Sequence, residues 1–355
     1  MLDKQFWNGR RVLVTGHTGF KGSWLSILLL SLGADVMGYS KQPAAEPNMF
    51  NVCRLNALIP TVIGDIADND LLRNTIQSFE PEVVIHMAAQ PLVRESYINT
   101  LETYSVNIMG TVNLLEILKT SNHLKVILNV TTDKCYENKE WVWGYREVDA
   151  LGGHDPYSAS KACSDLITTS YRKSFFAERG IGVATVRAGN VIGGGDWSTD
   201  RLIPDSIKAL IKGTKIIIRN PHAVRPWQHV LEPLFGYLLL AEKLYKDDHK
   251  YSGAWNFGPR DSDVISVENV VRKLSEKWGS GSFEIQNDIE LHEATNLKLD
   301  CSKASIILDW TPVWEIDKAL DKVVNWTTAW IEGKDMHTYT LSQINEYLMG
   351  RNKTN

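Results

Sequence analysis

Residues 11–25 read RVLVTGHTGFKGSWL. The run Arg11 to Thr15 is short, apolar and rich in valine, the pattern of a strand buried on both faces. Gly16, Gly19 and Gly22 follow at three-residue spacing, and Trp24 to Leu32 then reads as a helix that Gly33 ends. Gly16 permits a tight turn, Gly19 lets the backbone approach a pyrophosphate, and Gly22 lets the helix lie close to the strand. The helix N-terminus adds free N–H groups and a positive dipole end. The stretch therefore predicts a dinucleotide site, with Thr18, Phe20 and Lys21 beside the glycines.

Outward from this loop, strand and helix patterns alternate. Asp35 to Tyr39, Thr61 to Gly64, Val83 to Met87, Val126 to Val130 and Gly182 to Arg187 read as strands. Helical patterns lie between them at Asp70 to Ser78 and Thr103 to Lys119. Such alternation predicts an α/β fold of Rossmann type, a doubly wound parallel sheet built by right-handed crossovers. After Gly189 the texture changes to glycines and loop prolines, which predicts a smaller C-terminal α/β lobe for substrate. The expected division is 1–188 for the dinucleotide domain and 189–355 mainly for the substrate domain. A strand near Ala254 to Phe257 is expected to return to the first sheet.

An acidic residue commonly ends the second strand of such a fold and holds the adenosine ribose. Here Tyr39, Ser40 and Lys41 stand in that place. Without a carboxylate, NADP is as admissible as NAD on local chemistry, and Lys41 could attract its 2′-phosphate. Asp65 and Ile66 after the third strand, and Ala88, Ala89 and Gln90 after the fourth, are further cofactor candidates. Asn107 is assigned to the same side.

The chain has 355 residues, 43% hydrophobic and 23% charged, with net charge -4. These values fit a packed globular protein and point to neither a nucleic-acid nor a membrane surface. The N-terminus does not read as a signal peptide, and no apolar run is long enough to span a bilayer. The four cysteines are widely spaced, which argues against zinc and against a disulfide framework. The expected compartment is the cytoplasm and no metal is expected.

Tyr157 and Lys161 stand four residues apart, on one face of a helix. A neighbouring ammonium, together with the nicotinium of an oxidised cofactor, stabilises a phenolate and favours the tyrosine as general base. Thr131 to Tyr136 follow the fifth strand, and hydroxyls at the carboxyl end of a parallel strand face the ligand cleft.

With these residues the chain resembles the extended short-chain dehydrogenases/reductases, and within them the CDP-glucose 4,6-dehydratases. The resemblance covers almost the whole length. It runs through GHTGFKGSWL at 16–25, HMAAQPLV at 86–93, TTDKCY at 131–136 and PYSASKACSD at 156–165. RAGNVIGGGDW at 187–197, RPWQHV at 225–230, NFGP at 256–259 and HEATNLKLDCSKA at 292–304 continue it. The glycine loop and Tyr157/Lys161 mark the superfamily; the 131–136 and 187–197 segments are more specific.

The resemblance implies a catalytic set of Thr132, Asp133, Lys134, Tyr157 and Lys161. Thr132 would bind the sugar 4-hydroxyl, Tyr157 would take its proton, and Lys161 would hold the cofactor ribose and tune Tyr157. Asp133 would be the acid that protonates the departing 6-hydroxyl. Related dehydratases carry glutamate as the carbon-5 base where this chain has Lys134, so Lys134 must shed its charge or a water must act for it. For the substrate pyrophosphate Arg225 is the first choice and Arg201 and Arg187 are weaker ones; Arg187 would instead pack at the end of the sixth strand. Asn190, His292 and Glu293 are assigned to the nucleotide sugar. Cytosine recognition comes from resemblance alone, as does a homodimer paired through the helices near Thr103 to Lys119 and Ala159 to Phe175. An epimerase would not need Asp133, and a non-catalytic NAD(P)-binding regulator would not need both Tyr157 and Lys161.

Overall fold

A computed structural model describes residues 1–286 and 296–354. Its core is a seven-stranded sheet, β1 (Arg11–Thr15), β2 (Asp35–Ser40), β3 (Thr61–Ile63), β4 (Val83–His86), β5 (Val126–Val130), β6 (Gly182–Arg187) and β7 (Gly253–Asn256). The order is β7-β6-β5-β4-β1-β2-β3, and every pairing is parallel. The doubly wound parallel sheet is thus as expected. The chain leaves β1 for β2 on one side and reaches β4 on the other, so the crevice above the carboxyl ends of β1 and β4 is the switch point where ligands bind in such sheets.

Strand periodicity divides the core between two layers. Val12 and Val14 of β1, Ile85 of β4 and Leu128 of β5 pack in one cluster with α1 (Phe20–Ser31). Leu13, Val84 and Ile127 point to the other face, against Ile76 of α2 (Asn69–Phe79) and Leu114 and Leu118 of α3 (Gly110–Leu118). Each buried leucine or isoleucine here contributes about 1.5–3 kcal/mol relative to exposure.

Two helices differ from the sequence expectation. α1 begins at Phe20, immediately after Gly19, rather than at Trp24. The helix leading into α3 is interrupted by a π turn at Ser105–Met109. The later helices are α4 (Pro156–Tyr171), α5 (Leu202–Lys212), α6 (Leu231–Lys246), α7 (Val267–Trp278), α8 (Ile316–Ile331) and α9 (Met336–Thr354).

Beyond residue 188 the chain forms short two-stranded sheets. Val191–Ile192 pairs with Gln228–His229, and Val224–Pro226 pairs with Val264–Ser266. α6 packs back under the main sheet through Leu234, Tyr237 and Leu238. α9 is tied to α6 by Glu232, which accepts from Tyr347 Oη at 2.6 Å and Arg351 Nη2 at 3.1 Å. Among the described residues, no helix is long and apolar enough to cross a membrane.

Candidate active site

The glycine loop closes on β1 as a turn only glycine can make. Gly16 has φ +76°, and a Cβ there would lie 2.7 Å from the Ala88 nitrogen. A Cβ on Gly22 would lie 2.3 Å from the Gly16 carbonyl oxygen, so α1 and the loop touch backbone to backbone. A Cβ on Gly19, by contrast, would meet only that oxygen, at 3.3 Å. Gly19 caps α1 without a side-chain hydrogen bond, which leaves the first N–H groups of the helix facing outward. This cradle suits a pyrophosphate.

The residues expected at the adenosine end lie at the ends of β2 and β3. Thr18 Oγ1 lies 2.8 Å from Ser40 Oγ and donates to the Lys41 carbonyl at 2.9 Å. Lys41, which in sequence stood as a possible 2′-phosphate ligand, is held by Asp65 at 2.8 Å and by Glu102 at 3.6 Å. The Asp65 hydrogen bond raises its pKa further. Ile66 is buried under the same strand end.

Asn107 sits within the π turn and uses its whole amide inside the protein. Its Oδ1 accepts from Gln90 N at 2.8 Å; its Nδ2 donates to the Gln90 carbonyl at 3.0 Å and to Ser160 Oγ at 2.8 Å. It therefore braces the Ala88–Gln90 segment against α4.

The proposed catalytic groups converge at the carboxyl end of β5. Thr132 caps the short 3-10 turn Asp133–Cys135, its Oγ1 accepting from Lys134 N at 3.4 Å and donating to Asp133 Oδ1 at 3.0 Å. Asp155 caps α4 through Ser158 N at 2.9 Å and sets the start of the helix on which Tyr157 and Lys161 ride. Lys161 Nζ donates to the Val130 carbonyl at 2.8 Å. Burial, then the Lys21 ammonium, lowers its pKa to about 8. Lys21 is itself lowered to about 8 by burial and by Arg201.

In the protein alone, burial pushes the Tyr157 phenol up to about 12, against the downward pull of a Thr132 hydrogen bond and of Arg201. Lys161 is engaged with a backbone carbonyl, so the protein's own charges do not make the phenolate. The remaining cation in the scheme belongs to the oxidised cofactor.

Arg201 is brought to this centre. It pairs with Asp196 at 3.3 Å and lies within electrostatic reach of both Tyr157 and Lys21. Arg225 is buried, and its Nη1 donates to the Val224 carbonyl at 3.0 Å. Asn190 adopts a left-handed φ of +42°, and its carbonyl accepts from Gln228 N at 3.3 Å. His292 and Glu293 lie outside the described residues.

Arg187 is a structural residue. Asp165 on α4 accepts from Arg187 Nε at 2.8 Å and Nη2 at 2.9 Å, and also from Thr131 at 3.2 Å and Thr185 at 3.1 Å. Arg187 Nη1 reaches the Tyr136 hydroxyl at 2.8 Å. This buried network locks α4 to the ends of β5 and β6, and so fixes Tyr157 against Thr132. Asp165→Asn leaves a guanidinium buried without its counter-charge and is expected to cost about 3–5 kcal/mol in urea unfolding. A loss below about 1 kcal/mol would show that the pair carries no such load.

Sequence reasoning overlooked one contact. A Cβ on Gly189 would lie 1.7 Å from Asp133 Oδ2. The glycine stood in the quoted 187–197 segment, but nothing local reveals that its partner is the carboxylate after β5.

The comparisons with known proteins give the family. Residues 13–323 match the family model described as GDP-mannose 4,6 dehydratase. The chain belongs to that dehydratase family. Among its relatives, the CDP-glucose 4,6-dehydratase of Salmonella typhimurium strain LT2 is 52% identical over 98% of this chain and 99% of that protein. The dTDP-glucose 4,6-dehydratase of Haemophilus influenzae is 25% identical over 89% of this chain and 97% of its own. The dTDP-glucose 4,6-dehydratase of Bacillus anthracis, solved in complex with NAD, has a TM-score of 0.77 at 23% identity, covering 93% of this dehydratase-family chain and all (100%) of the other. At that identity the likeness speaks for the fold.

Proposed function

We propose that the protein is a CDP-glucose 4,6-dehydratase that uses NAD and forms CDP-4-dehydro-6-deoxyglucose with loss of water. The observation that carries this reading is the 52% identity to the Salmonella enzyme along nearly the whole of both chains. The convergence of Thr132, Asp133, Tyr157 and Lys161 at the end of β5 supports it. Arg201 and Arg225 are the proposed pyrophosphate ligands, with Asn190 on the sugar side.

NAD, when bound, supplies the acceptor for the hydride of carbon 4 and its later donor to carbon 6. Tyr157, placed by Thr132, takes the proton of the sugar 4-hydroxyl. The ketone acidifies the hydrogen on carbon 5. Lys134 in its neutral form, or a water beside it, accepts that proton while Asp133 protonates the leaving 6-hydroxyl. The glycine cradle and the uncapped start of α1 fit the cofactor's pyrophosphate. The pairing of Lys41 with two carboxylates supports NAD over NADP, because a 2′-phosphate would meet an acidic surrounding.

The proposed assembly is a homodimer. Ile98, Leu101, Met109 and Leu166 are exposed on the helices around α3 and α4, which supports pairing through that face. The cytoplasm is the proposed compartment, and a route to deoxysugars of surface polysaccharide the proposed setting.

A panel of CDP-glucose, dTDP-glucose, UDP-glucose and GDP-mannose with NAD tests the assignment, product being read by mass spectrometry as loss of water. CDP-glucose should be consumed and the others left essentially unchanged. Dehydration of another member of the panel in its place would remove the nucleotide assignment.

A further inference from the structure

Beside the catalytic carboxylate, on the side away from Thr132, three buried polar atoms have no hydrogen-bond partner among the described residues: Asp133 Oδ2, Gln228 Oε1 and Tyr237 Oη. Asp133 is 2% exposed, Gln228 1% and Tyr237 0%. Orphaned polar atoms at this depth are rare and costly unless water completes them.

They border one region. Gly189 stands beside Asp133 with no room for a Cβ against Oδ2, and Gln228 Nε2 donates to the Gly189 carbonyl at 3.4 Å and to the Phe257 carbonyl at 2.8 Å. The Phe257 ring meets the Tyr237 ring edge-on, with centroids 5.4 Å apart. Tyr237 projects from α6, which packs under β5 and β6. Burial raises the Tyr237 phenol above its ordinary range, and the Asp133 charge raises it further. Tyr237 is therefore a constant donor.

We propose that Tyr237 and Gln228 hold a buried water against Asp133 Oδ2, and that this water fixes the acidic proton on Oδ1. The inference rests on Asp133 being the elimination acid. A water between them would complete all three atoms, accepting from Tyr237 Oη and donating to Gln228 Oε1 and Asp133 Oδ2. Oδ2 is then an acceptor only, so the proton of the acid form sits on Oδ1, and the bond that Oδ1 accepts from Thr132 Oγ1 as a carboxylate is reversed, Oδ1–H donating to Thr132 Oγ1. Oδ1 is the oxygen beside Thr132, at 3.0 Å, on the side of Tyr157. Tyr237 is thus a positioning residue for water loss and has no part in the oxidation at carbon 4.

Tyr237→Phe separates the two steps. CDP-6-deoxyglucose has no 6-hydroxyl to lose, so it reports oxidation alone through the absorbance of reduced cofactor. With CDP-glucose, kcat for water loss should fall about tenfold, the value of one lost hydrogen bond, with KM unchanged. With CDP-6-deoxyglucose the rate of cofactor reduction should match that of the unaltered enzyme. A parallel fall with both substrates would mean a structural role, and no fall with either would mean no role; both overturn the proposal. A well-ordered water bonded to the three atoms in a crystal structure is the second expected result, and its absence at high resolution overturns the bridge. If the unaltered enzyme itself acts on neither sugar, the functional assignment has failed rather than the role of Tyr237.

Discussion

Gly189→Ala is expected to lower CDP-glucose dehydration by about a hundredfold or more, because a displacement of the order of 1 Å at a reacting group costs that much. The added methyl would sit 1.7 Å from Asp133 Oδ2, well inside contact distance, and the glycine is boxed in by Gln228 and the end of β6. Either the carboxylate or the backbone must move, and the segment is also the one that carries Asn190. Overpacking of this kind costs about 1–3 kcal/mol of stability, so the folded fraction is measured alongside kcat. A folded Gly189→Ala enzyme with ordinary turnover would show that Asp133 has freedom to relocate and that its placement does not matter.

Tyr157→Phe should abolish the first step. It removes the proton acceptor for the 4-hydroxyl and with it a factor of about 10²–10⁴. Because oxidation precedes elimination, reduced cofactor should fail to appear with CDP-6-deoxyglucose as well as product with CDP-glucose. This pattern separates Tyr157 from Asp133, whose loss should spare the oxidation. The phenol at about 12 in the protein alone makes the demand specific. Thr132 and Arg201 oppose the effect of burial only in part, and the positive charge of an oxidised cofactor would add to their pull. Retained oxidation in Tyr157→Phe would hand the base role to another group.

Much of the fold was legible because it is written in local pattern. The valine runs, the three-residue glycine spacing and the alternation of strand and helix each follow from neighbours in sequence, and the parallel sheet follows from them. β7 was also foreseen as a strand returning to the sheet. The start of α1 was read four residues late because Phe20 to Ser23 carry no apolar period, whereas Gly19 already caps the helix. The π turn at Asn107 has no sequence signal; within it the Asn107 amide bonds Gln90 and Ser160, both distant in sequence.

At the site, the residue types were legible and the pairings were not. Tyr157, Lys161 and Thr132 were singled out by spacing and motif. Lys41 looked like a free cation until Asp65 and Glu102, distant in sequence, were found beside it. Arg187 had the chemistry of a phosphate ligand, yet Asp165 and Tyr136 consume it inside the protein. The surroundings of Tyr157 were hidden for a related reason. A motif gives the charge on Lys161, while the structure gives both the burial of the phenol and the carbonyl that occupies the ammonium.

The central claim is that one site removes hydride from carbon 4 and returns it to carbon 6 of the same sugar. CDP-glucose deuterated at carbon 4, incubated with the protein and NAD in ordinary water, tests it most directly. The predicted product is CDP-4-dehydro-6-deoxyglucose with the deuterium wholly at carbon 6 and a solvent proton at carbon 5. Deuterium in released reduced cofactor or in solvent, or sugar recovered with water lost but no label at carbon 6, would contradict it.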